Sequence, residues 1–375
     1  MSGAQAGVPA PAMAAAGVRA QLRRRLFGGQ VQAAGVLIVI VALFVATGLH
    51  SNLFWSVNNL KVLAEDMAFI ALSGVGTAIL IITGYVDLSI GSLLALCAVL
   101  TAMLANVVAL PFAFIFGVLI GGAVGALNGL IVWNVSTSPI IITLGGLMLI
   151  RGIVIVITGG VGVAPKNPNF VSLANQTPLG VPMPVWFFLG AALLGWLFLS
   201  FTTTGRHIYA IGGNRDAARA AGIRVRRIVI GVFIVNGLLV GLTGMLEASL
   251  YGAPDDTFGN QFELQVITAV IVGGVSFAGG EGGVVRAMLG CLLLEVIQGA
   301  VVSWNIDPNY TYIITGAILI VAVSTDQIVH GQRERYQKLA AMRELAQATA
   351  ERRRAGAEPP AAALAGSGSP RPEDE

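Results

Sequence analysis

No Lys, Arg, Asp or Glu stands between Asp87 and Arg151, a run of 63 residues. A membrane crossing takes about 20 predominantly apolar residues, so this stretch alone has room for three. The rest of the chain agrees: 11% of its 375 residues are charged and 55% hydrophobic, against about 25% charged in a soluble domain. What charge there is collects at the C-terminus, where residues 326–375 hold 16 charged side chains. A soluble globule is excluded, and so is a disordered chain, which needs low hydrophobicity. The expected fold is an all-α, polytopic membrane helical bundle.

Apolar runs fall at 33–49, 67–84, 88–110, 112–133, 139–158, 183–204, 228–250, 263–279, 284–303 and 309–325. They predict about ten transmembrane helices, with a range of eight to ten because the Gly-rich stretches at 84–91 and 273–283 suit broken or re-entrant segments. Residues 1–30 form an N-terminal segment ending in Arg23, Arg24 and Arg25. The run that follows is long for a signal sequence and has no clear cleavage site, so it reads as an uncleaved first span. With both termini inside, nineteen of the 22 Lys and Arg fall on the cytoplasmic side and only Lys61 and Lys166 on the outside, which favours N-in and C-in. The organisation expected is a cytoplasmic segment 1–30, a transmembrane domain 31–325 with a cytoplasmic loop at 205–227, and a tail 326–375. The tail alternates charge helically over 328–354 and then becomes low-complexity. The outer stretch 159–182 is expected to be an ordered cap or loop.

Several chemistries are absent. The lysines are Lys61, Lys166 and Lys338, and none follows a glycine, so no phosphate-cradling Gly-Lys-Ser/Thr loop exists. His50, His207 and His330 are scattered and no metal-ligand spacing occurs. Cys97 and Cys291 lie in apolar runs and read as small buried hydrophobes. The net charge of +3 does not argue for nucleic acid.

Ionisable groups inside spans are the usual pointers to function in a membrane protein. Asp87, in GYVDLSIGS, suits an N-cap for a helix starting at Leu88; a pore or gating role is the other reading. Arg151 lies well inside its run and calls for a carboxylate, helix-end carbonyls or substrate, with Glu247 and Glu295 as candidate partners. In the loop GRHIYAIGGNRDAARAAGIRVRR, Asn214 suits an N-cap, Gly222 a C′ position, and Gly212 and Gly213 a sharp turn into a helix of about two turns. So short a helix is unstable alone and must pack against its own membrane domain or a partner.

Four segments together resemble the permease subunits of ribose/galactose/xylose-type sugar ABC importers: GYVDLSIGSLLAL at 84–96, NGLIV with SPIIITLGGLMLIRG over 128–152, GRHIYAIGGNRDAARAAGI at 205–223, and ELQVITAVIVGGVSFAGGEGGVV at 263–285. The resemblance covers about residues 60–325. It implies a non-enzymatic transport component in the bacterial cytoplasmic membrane, surrounded by lipid and without a cofactor of its own. Its implied partners are cytoplasmic ATP-binding subunits that use the ATP, an extracytoplasmic sugar-binding protein and a second permease copy. Carried over by motif, Asp87, Ser89, Asn128, Thr143 and Arg151 become pathway or structural candidates. Gly205, Gly212, Gly213, Asn214, Ala217, Ala218, Arg219 and Gly222 become the ATPase-coupling loop, with small alanines seated on the ATPase and Arg215 and Arg219 at the edges. Tyr85 stands where that family usually has a second Gly, Glu295 in a span usually uncharged, and Gln298 where Asn is common. The alternative reading is an ion-coupled secondary transporter for a small polar solute.

Overall fold

The computed structural model describes residues 33–135 and 137–354. The N-terminal segment 1–30 and the low-complexity end of the tail lie outside the described residues. Contacts divide the chain into two units, Met1–Ser324, which carries the bundle, and Thr325–Glu375.

Helices account for the architecture, and no strand occurs among the described residues. In chain order they are α1 (Ala33–His50), α2 (Val57–Ile82), α3 (Ile90–Leu104), α4 (Leu110–Asn134), α5 (Pro139–Thr158), α6 (Met183–Phe201), α7 (Thr203–Gly213), α8 (Arg215–Ala220), α9 (Val225–Tyr251), α10 (Phe262–Val272), α11 (Val284–Ser303) and α12 (Tyr310–Arg354). Eight are long and apolar enough to cross a membrane: α1, α2, α4, α5, α6, α9, α11 and the start of α12. The other two apolar runs yield shorter helices. α3 has 15 residues and α10 has 11, about 22 and 17 Å at 1.5 Å per residue, short of the roughly 30 Å hydrocarbon core. Among the described residues the count of full-length spans is therefore eight, the lower end of the expected range of eight to ten. The backbone breaks at the Gly-rich stretches at 84–91 and 273–283, and α3 also ends early, at Leu104.

The stretch Ala68–Ile82 of α2 is buried on every side, as expected of a helix apolar all round at the centre of a bundle. Ser56 starts it, its hydroxyl accepting from the Asn59 amide at 3.2 Å. α9 packs on α2, α3 and α4, whereas α5 and α6 expose most of their surface, the position of lipid-facing helices. The α4–α9 contact is the most extensive between helices among the described residues. Glycines 121, 125 and 129 of α4 recur every four residues and form a stripe that meets Phe233, Gly237 and Gly241 of α9, while Gly117, one step earlier, faces Thr101 of α3. A methyl on Gly121 would stand 2.8 Å from the Gly241 Cα, and one on Gly129 3.1 Å from the Ile230 Cα. Backbones this close gain dispersion and leave no gap for lipid.

The segment 159–182 is an ordered cap. Phe170 is buried against Phe114 at 5.6 Å between centroids. Its carbonyl accepts from the Ser249 hydroxyl at 2.7 Å, and the Lys166 amide donates to the Asn106 side chain at 2.6 Å. The cap thereby ties the ends of α3 and α9 together.

Candidate functional site

Three of the residues singled out in sequence form one buried polar knot. Asp87, Ser89 and Asn128 are each at most 5% exposed. One Asp87 oxygen accepts from the Ser89 amide at 2.9 Å and from its hydroxyl at 2.6 Å. The Asn128 amide donates to the Ser89 hydroxyl at 2.9 Å and to the other Asp87 oxygen at 3.4 Å. Asp87 is thus not the N-cap of a helix beginning at Leu88. The helix begins at Ile90 after a tight turn, Ser89 takes the cap position, and Asp87 closes the turn before it. A chain leaving the Gly84 turn (φ 85°) needs those two extra residues to redirect. Thr143 does not join the knot; its hydroxyl donates to the Pro139 carbonyl of its own helix at 3.0 Å. The α5 residue that faces the knot is Gly146, where a methyl would stand 3.5 Å from the Ser89 Cβ. At that distance a methyl would make ordinary contact with the knot, so α5 passes directly over it.

The capped helix has the limits expected. α8 runs Arg215–Ala220, the Asn214 side chain accepts from the Ala217 amide at 2.9 Å, and Gly222 takes φ 81°. Its setting differs from the expectation in three respects. Residues 203–213 are helix rather than loop, with the Thr202 hydroxyl accepting from the Gly205 amide at 2.9 Å, so Gly212 and Gly213 close α7 in helical conformation instead of forming a turn. Ala218 is only 4% exposed and packs into the chain's own core, whereas Ala217, Ala220 and Ala221 face outward. Arg215 and Arg219, though exposed, reach rings of the chain's own bundle: Arg215 lies 4.6 Å over the Tyr85 ring and Arg219 5.7 Å from the Trp133 ring. Tyr85 packs edge-on against Phe233 with its other contacts, at 6.0 Å. α8 is therefore fastened to the turn that holds the Asp87 knot.

The role of the glycines is close approach. The Gly280 amide donates to the Ile82 carbonyl at 2.8 Å. A methyl on Gly279 would stand 3.0 Å from the Gly84 Cα, and one on Gly280 2.7 Å from the Gly213 nitrogen. Three backbone segments, the end of α2, the end of α7 and the turn after α10, thus meet without side chains between them. Gly205 similarly lets α7 fold back on α6, since a methyl there would stand 2.8 Å from the Leu199 carbonyl carbon. Tyr209 of α7 completes the junction, donating to the Gly282 carbonyl at 3.1 Å. Burial raises its hydroxyl above the ordinary phenol range, opposed by the nearby Arg286 charge.

Arg151 is held by backbone. Its guanidinium donates to the carbonyls of Asp256 at 2.5 Å, Phe258 at 2.7 Å and Gly259 at 3.3 Å, with Glu263 the foremost nearby acid. Glu247 and Glu295, offered as its partners, sit elsewhere, each within electrostatic reach of Asp66. Sequence reading passed over Asp66, Tyr209 and Tyr251; Asp66 sits at the edge of an apolar run, where a charge reads as a span border.

The family model described as "Branched-chain amino acid transport system / permease component" matches residues 59–323. The D-allose transport system permease protein AlsC of Escherichia coli K12 is 35% identical over 78% of this chain and 90% of its own length. The ribose import permease protein RbsC of the same strain is 34% identical over 77% and 92%. The L-arabinose ABC transporter permease protein AraH of Azospirillum brasilense is 32% identical over 86% and 93%. With eight helices fit to cross a membrane and the match running through the whole bundle, the chain belongs to this permease family and is a multi-pass inner-membrane translocation component of an ABC importer.

Proposed function

We propose that this chain is one half of a permease pair that imports a monosaccharide or related polyol. The solute is handed over by an extracytoplasmic binding protein, and transport is driven by separate cytoplasmic ATP-binding subunits. The relatives named for D-allose, ribose and L-arabinose support the solute class. The distribution of Lys and Arg supports an orientation with both termini and the α7–α8 segment in the cytoplasm.

The observation that carries the reading is the position of α8. A six-residue helix has no stability of its own, yet this one is capped at both ends, seated by the buried Ala218 and by the Arg215 and Arg219 stacks on Tyr85 and Trp133, and left with an outward face of Ala217, Ala220 and Ala221. Small side chains on a fixed helix suit a closely packed groove on an ATPase. In this reading Asp87, Ser89 and Asn128 brace the turn beneath α8, so that movement of the ATPase reaches the spans through Tyr85 and the glycine junction.

The test uses the assembled importer. Ala217→Glu and Ala220→Glu change exposed positions, so the bundle should insert normally while the groove meets a long charged side chain. Retention of the ATP-binding subunit should fall at least tenfold, equivalent to about 1.4 kcal/mol, and uptake of labelled D-ribose, D-allose or L-arabinose into vesicles should fall with it. Normal retention and normal uptake in both variants would show that α8 is not the coupling element. Ala218→Glu is unsuitable, because it would place a carboxylate in the chain's own core and report on folding.

A further inference from the structure

Five buried side-chain atoms among the described residues make no hydrogen bond, and three of them, Glu247 Oε2, Glu295 Oε2 and Gln298 Nε2, belong to α9 and α11, with Glu247 and Glu295 both within electrostatic reach of Tyr251. α2 packs on both α9 and α11, and its Asp66 stands within electrostatic reach of both Glu247 and Glu295. Tyr251 lies one turn beyond Glu247, and its hydroxyl pairs with Asp66. Gln298 lies one turn beyond Glu295, on the same helix face. Glu295 is 4% exposed and Tyr251 57%, so the group runs from a sealed interior to an open mouth.

We propose that Asp66, Glu247 and Glu295, with Gln298 and the Tyr251 ring, form a station that binds the hydroxyls of the transported sugar inside the membrane domain. This rests on the sugar-importer reading and deepens it. Buried polar atoms in folded proteins are almost always paired, and three helices converging on unpaired ones are built for a donor and acceptor that arrive from outside the chain. The carboxylate oxygens need donors and the Gln298 amide needs an acceptor, and a sugar hydroxyl is both. The Tyr251 ring, set edge-on against Phe258 at 6.2 Å between centroids, offers the apolar face that the C–H side of a sugar takes. Phe258 also accepts from Arg151 through its carbonyl, so the Arg151 clamp fixes the rim of the station.

The experiment reconstitutes the complete importer, with its ATP-binding subunits and binding protein, in proteoliposomes. Labelled D-ribose, D-allose and L-arabinose are the probes. Glu247→Gln, Glu295→Gln and Tyr251→Ala should each lower ATP-driven uptake of the transported sugar at least tenfold, while ATPase activity stimulated by the binding protein stays within twofold of wild type. Uptake at wild-type rates in the variants overturns the station and leaves the importer reading intact. So does a loss of uptake with an equal loss of stimulated ATPase activity, which marks a structural role. Failure of the wild type to carry any monosaccharide or polyol, these three included, overturns both readings. If the two Gln variants do not assemble, Tyr251→Ala decides, because its side chain is exposed and its removal leaves the bundle packed.

Discussion

Replacing Arg151 with Met tests whether one side chain holds a whole loop. The guanidinium is the donor to three consecutive-loop carbonyls, of which those of Asp256 and Phe258, at 2.5 and 2.7 Å, have the length of charge-assisted bonds; the Gly259 contact at 3.3 Å is weaker. Two such bonds contribute about 1.5 kcal/mol each, and the third is left out. Met returns about 1 kcal/mol because no charge has to be held half-buried beside lipid. The net loss is about 2 kcal/mol, confined to the loop between α9 and α10, whose opening should become about 30-fold more frequent. Hydrogen exchange read by mass spectrometry on the purified importer is the assay: amides of residues 252–261 should exchange about 30-fold faster, with those of α3 and α11 unchanged. Arg151→Lys keeps the charge but not the fork and should fall between. Unchanged protection of 252–261 in Arg151→Met would refute the assignment of the loop's order to this residue.

Gly125→Ala should lower the melting temperature of the bundle by the equivalent of about 1–3 kcal/mol, because the new methyl would stand 3.1 Å from the Phe233 carbonyl carbon. Gly231→Ala, with nothing within 4 Å, is the control and should be neutral or mildly stabilising in the same thermal scan. A double-mutant cycle of Tyr85→Leu and Arg215→Ala should give a coupling of about 0.5–1 kcal/mol; additive effects on melting would show that the stack over Tyr85 is incidental. Tyr209 is neutral when folded with its pKa raised, so its contribution is complete below the ordinary phenol value of about 10 and is lost as pH rises through the raised value. Tyr209→Phe should remove that alkaline component from stability measured between about pH 9 and 12, and at neutral pH should cost about 1 kcal/mol for the bond to Gly282.

What could be read in the sequence follows the range of the interaction concerned. The ends of α8 were legible because capping is local: Asn214 reaches three residues ahead and Gly222 needs only its own backbone freedom. Asp87 was legible as a capping group only to within two residues, and its Asn128 partner, 41 positions away, was not legible at all. Hydropathy showed ten apolar runs, but it cannot register where a backbone stops being helical. The Asn106 bond to Lys166 at the end of α3 joins residues 60 positions apart, and the breaks beside Gly84 and Gly273 alter no apolar count. The inward face of α8 escaped as well, since six residues are too few for periodicity to separate Ala218 from Ala217. Arg151 illustrates the same limit from the other side. Its need for a partner was evident from the cost of a charge in a span, but the partners are main-chain carbonyls, which no residue type announces.

The glycines carry the same argument into mechanism. Side chains between packed elements act as a compliant layer, because rotamers can shift and absorb a displacement of a few tenths of an ångström. At the junction of Gly84, Gly212, Gly213, Gly279 and Gly280 that layer is missing. The Gly280 amide is bonded directly to the Ile82 carbonyl, and a methyl at Gly212 would stand only 2.5 Å from the Gly280 nitrogen. A displacement of α7 and α8 therefore has nothing to compress and must move the ends of α2 and α10. Those ends are where the two short apolar helices begin or stop, and where the backbone of the bundle is already broken. The sequence thus places a contact without side chains between the α7–α8 segment and the two points at which the backbone of the bundle is already broken.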